Sequence, residues 1–167
     1  MRVTDWLRAD HRRLRGLLET ATRGPAIDLA VYAEFRAGLL RHVAIEEKLL
    51  LAAARDARGG APLPRARDLR VDHAALSSLL VPTPTVSIGH EIALLTSSHD
   101  AVEEGPGGVY DECEALLTPE RTDALAHLAE AYPTPPVAPH FDGPGVHRTA
   151  SSAMEAARRM TAPRGRR

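Results

Sequence analysis

One cysteine in 167 residues, Cys113, excludes an internal disulfide and any cage of thiolates around a metal. It also fits a reducing, cytoplasmic setting. Aromatic residues are scarce at 4%, so the core has to be built mainly from Leu, Ala, Val and Ile. No apolar run comes near the length of a membrane span, and the N-terminus lacks the charged-then-apolar pattern of an export signal. No membrane partner is expected. A large charge of one sign is missing too: the net charge is −1, which gives no pull toward nucleic acid. The basic end, Arg158-Arg159 and then Arg164, Arg166 and Arg167, is short and reads as a solvated tail. There is no convincing period-two alternation, no phosphate loop, no nucleotide fingerprint and no paired nucleophile and base, and no catalytic residue is assigned.

What the chain does have is apolar spacing of helical period, which makes the expected fold class all-α. The first helix opens at Thr4, read as its N-cap, and stops at Arg23-Gly24-Pro25. The second starts near Asp28, carries Val31, Phe35, Leu39, His42, Ile45 and Leu49 on one stripe, and ends by Gly59-Gly60. A third runs from Pro62 or Pro64 to Pro82, and a fourth from Val86 to Glu104 with Ile92, Leu95, His99 and Val102 on its stripe. Gly105-Pro106-Gly107-Gly108 must break it. A shorter piece covers Val109 to Leu117, another helix runs from Thr118-Pro119-Glu120 to near Tyr132, and a last one from Arg148 to Met160. The Pro- and Gly-rich stretch 133–146 is expected to lie as a loop over the bundle. Residues 1–117 form the expected four-helix unit. Residues 118–167 form a C-terminal helical extension with that loop and the basic tail.

The chain also repeats itself. Asp10-His11-x-x-Leu14-x-x-Leu17-Leu18 returns as Asp72-His73-x-x-Leu76-x-x-Leu79-Leu80, and His42-x-x-x-Glu46-Glu47 returns as His99-x-x-x-Glu103-Glu104. Helical positions four apart differ by about 40° around the axis, so each His-x-x-x-Glu pair shares a face. His11 lies between Leu7 and Leu14, and His73 between Leu69 and Leu76, again on apolar stripes. Four histidines and two glutamates therefore point into the core. Two uncompensated buried carboxylates would cost several kcal/mol each. Divalent or trivalent cations would remove that cost and use the imidazoles as neutral donors. Imidazole and carboxylate without sulfur suit iron, manganese or zinc.

On these motifs, which span about residues 4–117, the chain resembles the haemerythrin-like, HHE cation-binding proteins. The resemblance implies an up-down four-helix bundle and a non-haem di-iron centre, two iron ions sharing an oxo, hydroxo or water bridge. It implies His11 and His42 on one iron, His73 and His99 on the other, and Glu46 and Glu103 between them. Oxygen-carrying members have a second histidine one turn after the third-helix ligand, where this chain has Ser77. They close with a carboxylate five residues after the last histidine; Glu104 stands there, but the repeat favours Glu103. One fewer nitrogen ligand leaves an open position, which favours small-molecule binding or iron exchange over simple oxygen carriage.

The expected function is accordingly a cytoplasmic di-iron protein binding O2, NO or a related small oxidant such as peroxide, for sensing, scavenging or storage. The alternatives are a redox enzyme consuming peroxide or NO, an iron donor for damaged iron centres, and a metal-free helical interaction module. Oligomeric state is open, a homodimer included. Glu47 and Glu104, about 140° from their histidines, read as outer-sphere or surface groups. His90 and His127 read as surface residues, and His140 or His147 as loop residues within reach of a bundle end. Tyr110 and Cys113, which follow the Gly-Pro break, read as ordinary packing, the alternative being a place near the open end of the site with a part in redox chemistry.

Overall fold

The computed structural model describes residues 1–162; Arg164, Arg166 and Arg167 of the basic tail lie outside them. Among the described residues there are eight α-helices, one π-helical turn and no strand. They are α1 Val3–Thr22, α2 Leu29–Ile45, the π turn Glu46–Leu50, α3 Leu51–Ala57, α4 Ala66–Leu79, α5 Val86–Glu104, α6 Val109–Leu116, α7 Pro119–Glu130 and α8 Ala150–Thr161. None of these helices is long and apolar enough to cross a membrane.

Helix starts follow local chemistry. Asp28 accepts from the backbone N–H of Ala30 and Val31, Thr85 from Ile88, Thr118 from Arg121 and Thr149 from Ser152. Each removes an orphan donor of a first turn. Thr4 does not cap α1, as its position suggested. The helix begins at Val3, and Thr4 lies buried inside it with its hydroxyl donating to Glu114.

Helices α1, α2, α4 and α5 form an up-down four-helix bundle whose core is split into two apolar layers. One layer joins Leu7, Ile45, Leu50, Leu69, Tyr110 and Cys113; the other joins Leu14, Leu18, Phe35, Leu39, Leu76 and Ile92. His11, His42, His73 and His99 lie between the layers in every one of the four helices. The extension completes both layers. Leu125, Ala126 and Ala129 of α7 pack into the first, and Ala153 and Ala157 of α8 into the second. Arg41 donates to the carbonyls of Ala129, Glu130 and Tyr132, fixing the C-terminal end of α7. The 133–149 segment crosses the bundle end, held by Arg36 on the Ala138 carbonyl and by Asp142 on Thr83.

Two register expectations change. The π turn, closed by the Leu51 N–H donating to the Glu46 carbonyl, inserts one extra residue into a helix that reads as continuous. Leu50 is therefore buried where α-periodicity placed Leu49, which is only partly covered. On α5 the buried position after His99 is Glu103, and Val102 is 38% exposed. Beyond α5, Gly107 takes φ +65° and its N–H donates to Asp111. A Cβ on Gly108 would meet the Glu103 carbonyl at 2.6 Å. Small residues here let the chain turn back at once, which returns Tyr110 to the bundle interior.

Candidate metal centre

All six residues singled out by the repeat meet in the layer between the two apolar cores, none more than 4% exposed. Two overlapping groups, His11-His42-Glu46-Glu103 and Glu46-His73-His99-Glu103, each place one donor atom per residue within 4.8 Å of the others. Glu46 faces both ways: Oε1 is 3.2 Å from His42 Nε2, and Oε2 is 3.2 Å from His73 Nε2. Glu103 Oε2 likewise stands 3.3 Å from His99 Nε2 and 3.4 Å from His11 Nε2.

A second ring of carboxylates fixes the imidazoles from behind. His42 Nδ1 meets Asp10 at 3.0 Å, His99 Nδ1 meets Asp72 at 3.4 Å, His73 Nδ1 meets Glu47 at 2.9 Å and His11 Nδ1 meets Glu104 at 2.6 Å. Every repeated acidic residue is thus used, with Glu47 and Glu104 behind histidines of neighbouring helices. With Nδ1–H donating outward, each Nε2 turns its lone pair inward, the orientation a metal-binding imidazole needs. Asp10→Asn keeps the shape but removes the charge behind His42. It is expected to weaken metal affinity about 10- to 100-fold in a competition titration.

The electrostatics make the same point. Burial acts to raise the Glu46 carboxyl, but the charges of His42 and His73 outweigh it and hold Glu46 well below the usual range. Burial acts to lower His42, yet Glu46 and Asp10 push it up to about 10. His73 is pushed up to about 9 by Glu46 and Glu47 against the same opposition. Glu103 rises well above its ordinary value through burial and then the charge of Glu46. His11 is lowered by burial and then by the charge of His42. Among the described residues, His11 Nε2, His42 Nε2 and Glu46 Oε2 are buried without a hydrogen-bond partner. Such orphaned inward atoms are costly unless a cation satisfies them. The donor set fits a metal.

Tyr110, for which packing was the first expectation and a place near the site the second, stands against both shared carboxylates. It is fully buried, and its hydroxyl donates to Glu46 Oε1 at 2.6 Å and lies 3.2 Å from Glu103 Oε2. Burial, then the charges of Glu46 and Glu103, push the phenol well above its ordinary value. A single tyrosine after a Gly-Pro break carries no spacing signal, so its direction came only from the turn. Cys113 packs into the core, and burial pushes its thiol up to about 12. His90, His127 and His140 are exposed and His147 is half-buried; none joins either donor group.

On the side away from Tyr110 a cavity of about 480 Å³ reaches the histidines His11, His42 and His99. Leu14, Leu18 and Phe35 wall it, and the exposed Arg15, Arg23 and His90 line its outer part. A water's share of liquid volume is about 30 Å³. The space therefore admits small molecules to the donor layer with ease.

Residues 2–81 match the family model described as the Hemerythrin HHE cation binding domain. The match takes in His11, His42, Glu46 and His73 and ends before α5, which carries His99 and Glu103. No curated protein and no solved structure matches the chain.

Proposed function

The chain is haemerythrin-like, with residues 2–81 matching an HHE cation-binding domain, and from that premise we propose that it is a di-iron protein binding O2, NO or a related small oxidant. His11 and His42 would hold one ion, His73 and His99 the other, with Glu46 and Glu103 shared. Manganese and zinc are the alternative ions for this donor set. The observation that carries the reading is the convergence of four imidazole Nε2 atoms on two shared, buried carboxylates.

When bound, iron supplies the electron exchange and the affinity for diatomic ligands that side chains lack. The protein's residues do the rest. Asp10, Asp72, Glu47 and Glu104 orient the imidazoles, and Leu14, Leu18 and Phe35 keep the approach apolar, which suits uncharged gases. Ser77 stands where a further histidine would complete the donor set, so one position would remain exchangeable, and the cavity gives small molecules a route to His11, His42 and His99. Sensing, scavenging and storage are the roles in view. The single buried thiol fits a reducing cytoplasm.

The test is iron analysis of protein purified after growth with ample iron, compared with a His42→Ala, His99→Ala double variant. About two irons per chain, lost in the variant, is the expected result; iron-free protein of unchanged stability would sink the proposal. Titration of the loaded protein with NO or O2 then separates stoichiometric binding, seen as a saturating spectral change, from turnover of NO or peroxide.

A further inference from the structure

Resting on the metal reading above, we propose that Tyr110 is a seventh donor of the centre, its phenol oxygen ligating the ion held by His11 and His42. Glu46 Oε1, 2.6 Å from the Tyr110 hydroxyl, is the oxygen that faces His42. Glu103 Oε2, 3.2 Å away, faces His99 at 3.3 Å and His11 at 3.4 Å alike, so the Glu46 contact and the stacking of the ring on His11 are what assign the phenol to the His11 and His42 ion. The phenol oxygen thus sits among the donors of one particular group rather than behind them. Donors each about 2.0–2.2 Å from one ion, at right angles, are about 3 Å apart. The two spacings of Tyr110 straddle that value.

The ring is fixed in place. It stacks against His11 with centroids 6.0 Å apart, and the Arg8 guanidinium lies 5.3 Å from its centroid. Its hydroxyl has no hydrogen-bond partner other than those two carboxylates among the described residues. In a loaded centre both carboxylates share their charge with cations, which makes them weaker acceptors for the hydroxyl and favours the phenol oxygen as a donor beside them. Coordination replaces the O–H bond, the proton is released to solvent, and no electron moves.

The repeat supplies no counterpart. Seven residues after Glu103 stands Tyr110, whereas seven after Glu46 stands Ala53. The group of Glu46, His73, His99 and Glu103 therefore keeps four protein donors while the other gains a fifth. A hard, anionic oxygen on one side only makes the two ions inequivalent and favours the trivalent state at the Tyr110 position.

The experiment loads the full-length protein with a ferrous salt in air, counts the iron, and records visible and resonance Raman spectra. Wild type, Tyr110→Phe and, as a control, Tyr132→Phe are compared. The expected result is a phenolate-to-iron(III) charge-transfer band with phenolate ring modes in wild type and Tyr132→Phe, both lost in Tyr110→Phe while iron is retained. Iron-loaded wild type without phenolate modes, or modes that persist in Tyr110→Phe, would overturn the assignment. The wild-type Raman spectrum alone decides this even if the variant fails to fold. Wild type that takes up no iron overturns the di-iron reading and this proposal together; iron uptake without phenolate modes sinks the tyrosine alone.

Discussion

Stripping the ions with a chelator is expected to lower the melting temperature of the folded protein by about 8–16 °C. A ligand present at about 1,000 times its dissociation constant adds about 4 kcal/mol, and each kcal/mol moves the melting point of a domain this size by about 2–4 °C. The donor layer gives the effect its structural cause. Without cations, a shared carboxylate and inward-facing imidazoles lie between two apolar cores with His11 Nε2, His42 Nε2 and Glu46 Oε2 unpartnered.

The size of that drop depends on pH in a direction the site dictates. His42 and His73 titrate in the metal-free fold near 10 and 9, above the ordinary 6.5. A raised folded value stabilises the metal-free fold fully below about 6.5, and this is lost as pH rises through 9 to 10. Metal needs the same imidazoles neutral, so its contribution grows over the same window. The chelator effect is therefore larger at pH 8 than at pH 6. Thermal unfolding followed by circular dichroism, with and without chelator at both values, checks it. A melting point indifferent to chelator at both would leave the metal-free helical module as the better account.

The six inward residues were legible because two physical periodicities coincide. A four-residue spacing puts histidine and glutamate on one helical face, and the leucines around each histidine mark that face as buried. Duplication then made chance alignment a poor explanation. What stayed hidden depends on neighbouring helices rather than on the helix that carries the residue. Asp10 adjoins His11 in sequence yet bonds His42, and Glu104 reaches back to His11. Successive residues on a helix diverge by about 100°, so their partners are chosen by which helix packs alongside. The π turn at Glu46 carries no composition of its own, and it moved the buried position from Leu49 to Leu50. For Tyr110 the choice between packing and the site stayed open, because only the folded backbone fixes the direction of the Gly-Pro turn. The docking of α7 and α8 rests on small residues, Ala126, Ala129, Ala153 and Ala157, whose value is close approach rather than hydrophobic bulk.

Glu46→Ala is expected to cost the protein both ions, where His73→Ala costs about one. The difference follows from the two oxygens of a single carboxylate. Oε1 lies toward His42 and Tyr110, Oε2 toward His73, so one side chain serves both donor groups, while His73 serves only one. Removing Glu46 also removes the main reason that His42 and His73 hold protons at neutral pH. Their values fall back toward the ordinary range, and the imidazoles become neutral rather than remaining as unpaired buried charges. Such charges would otherwise cost about 3–5 kcal/mol. The variant should therefore fold, bind close to no iron, and melt at a temperature that no longer responds to chelator. Elemental analysis and thermal unfolding on the same preparations read both quantities. If Glu46→Ala kept one ion firmly bound, the two groups would be independent and the carboxylate would belong to only one. Loss of both ions in His73→Ala would instead mean that the centre assembles as a unit, each ion depending on the other to keep Glu46 and Glu103 charged.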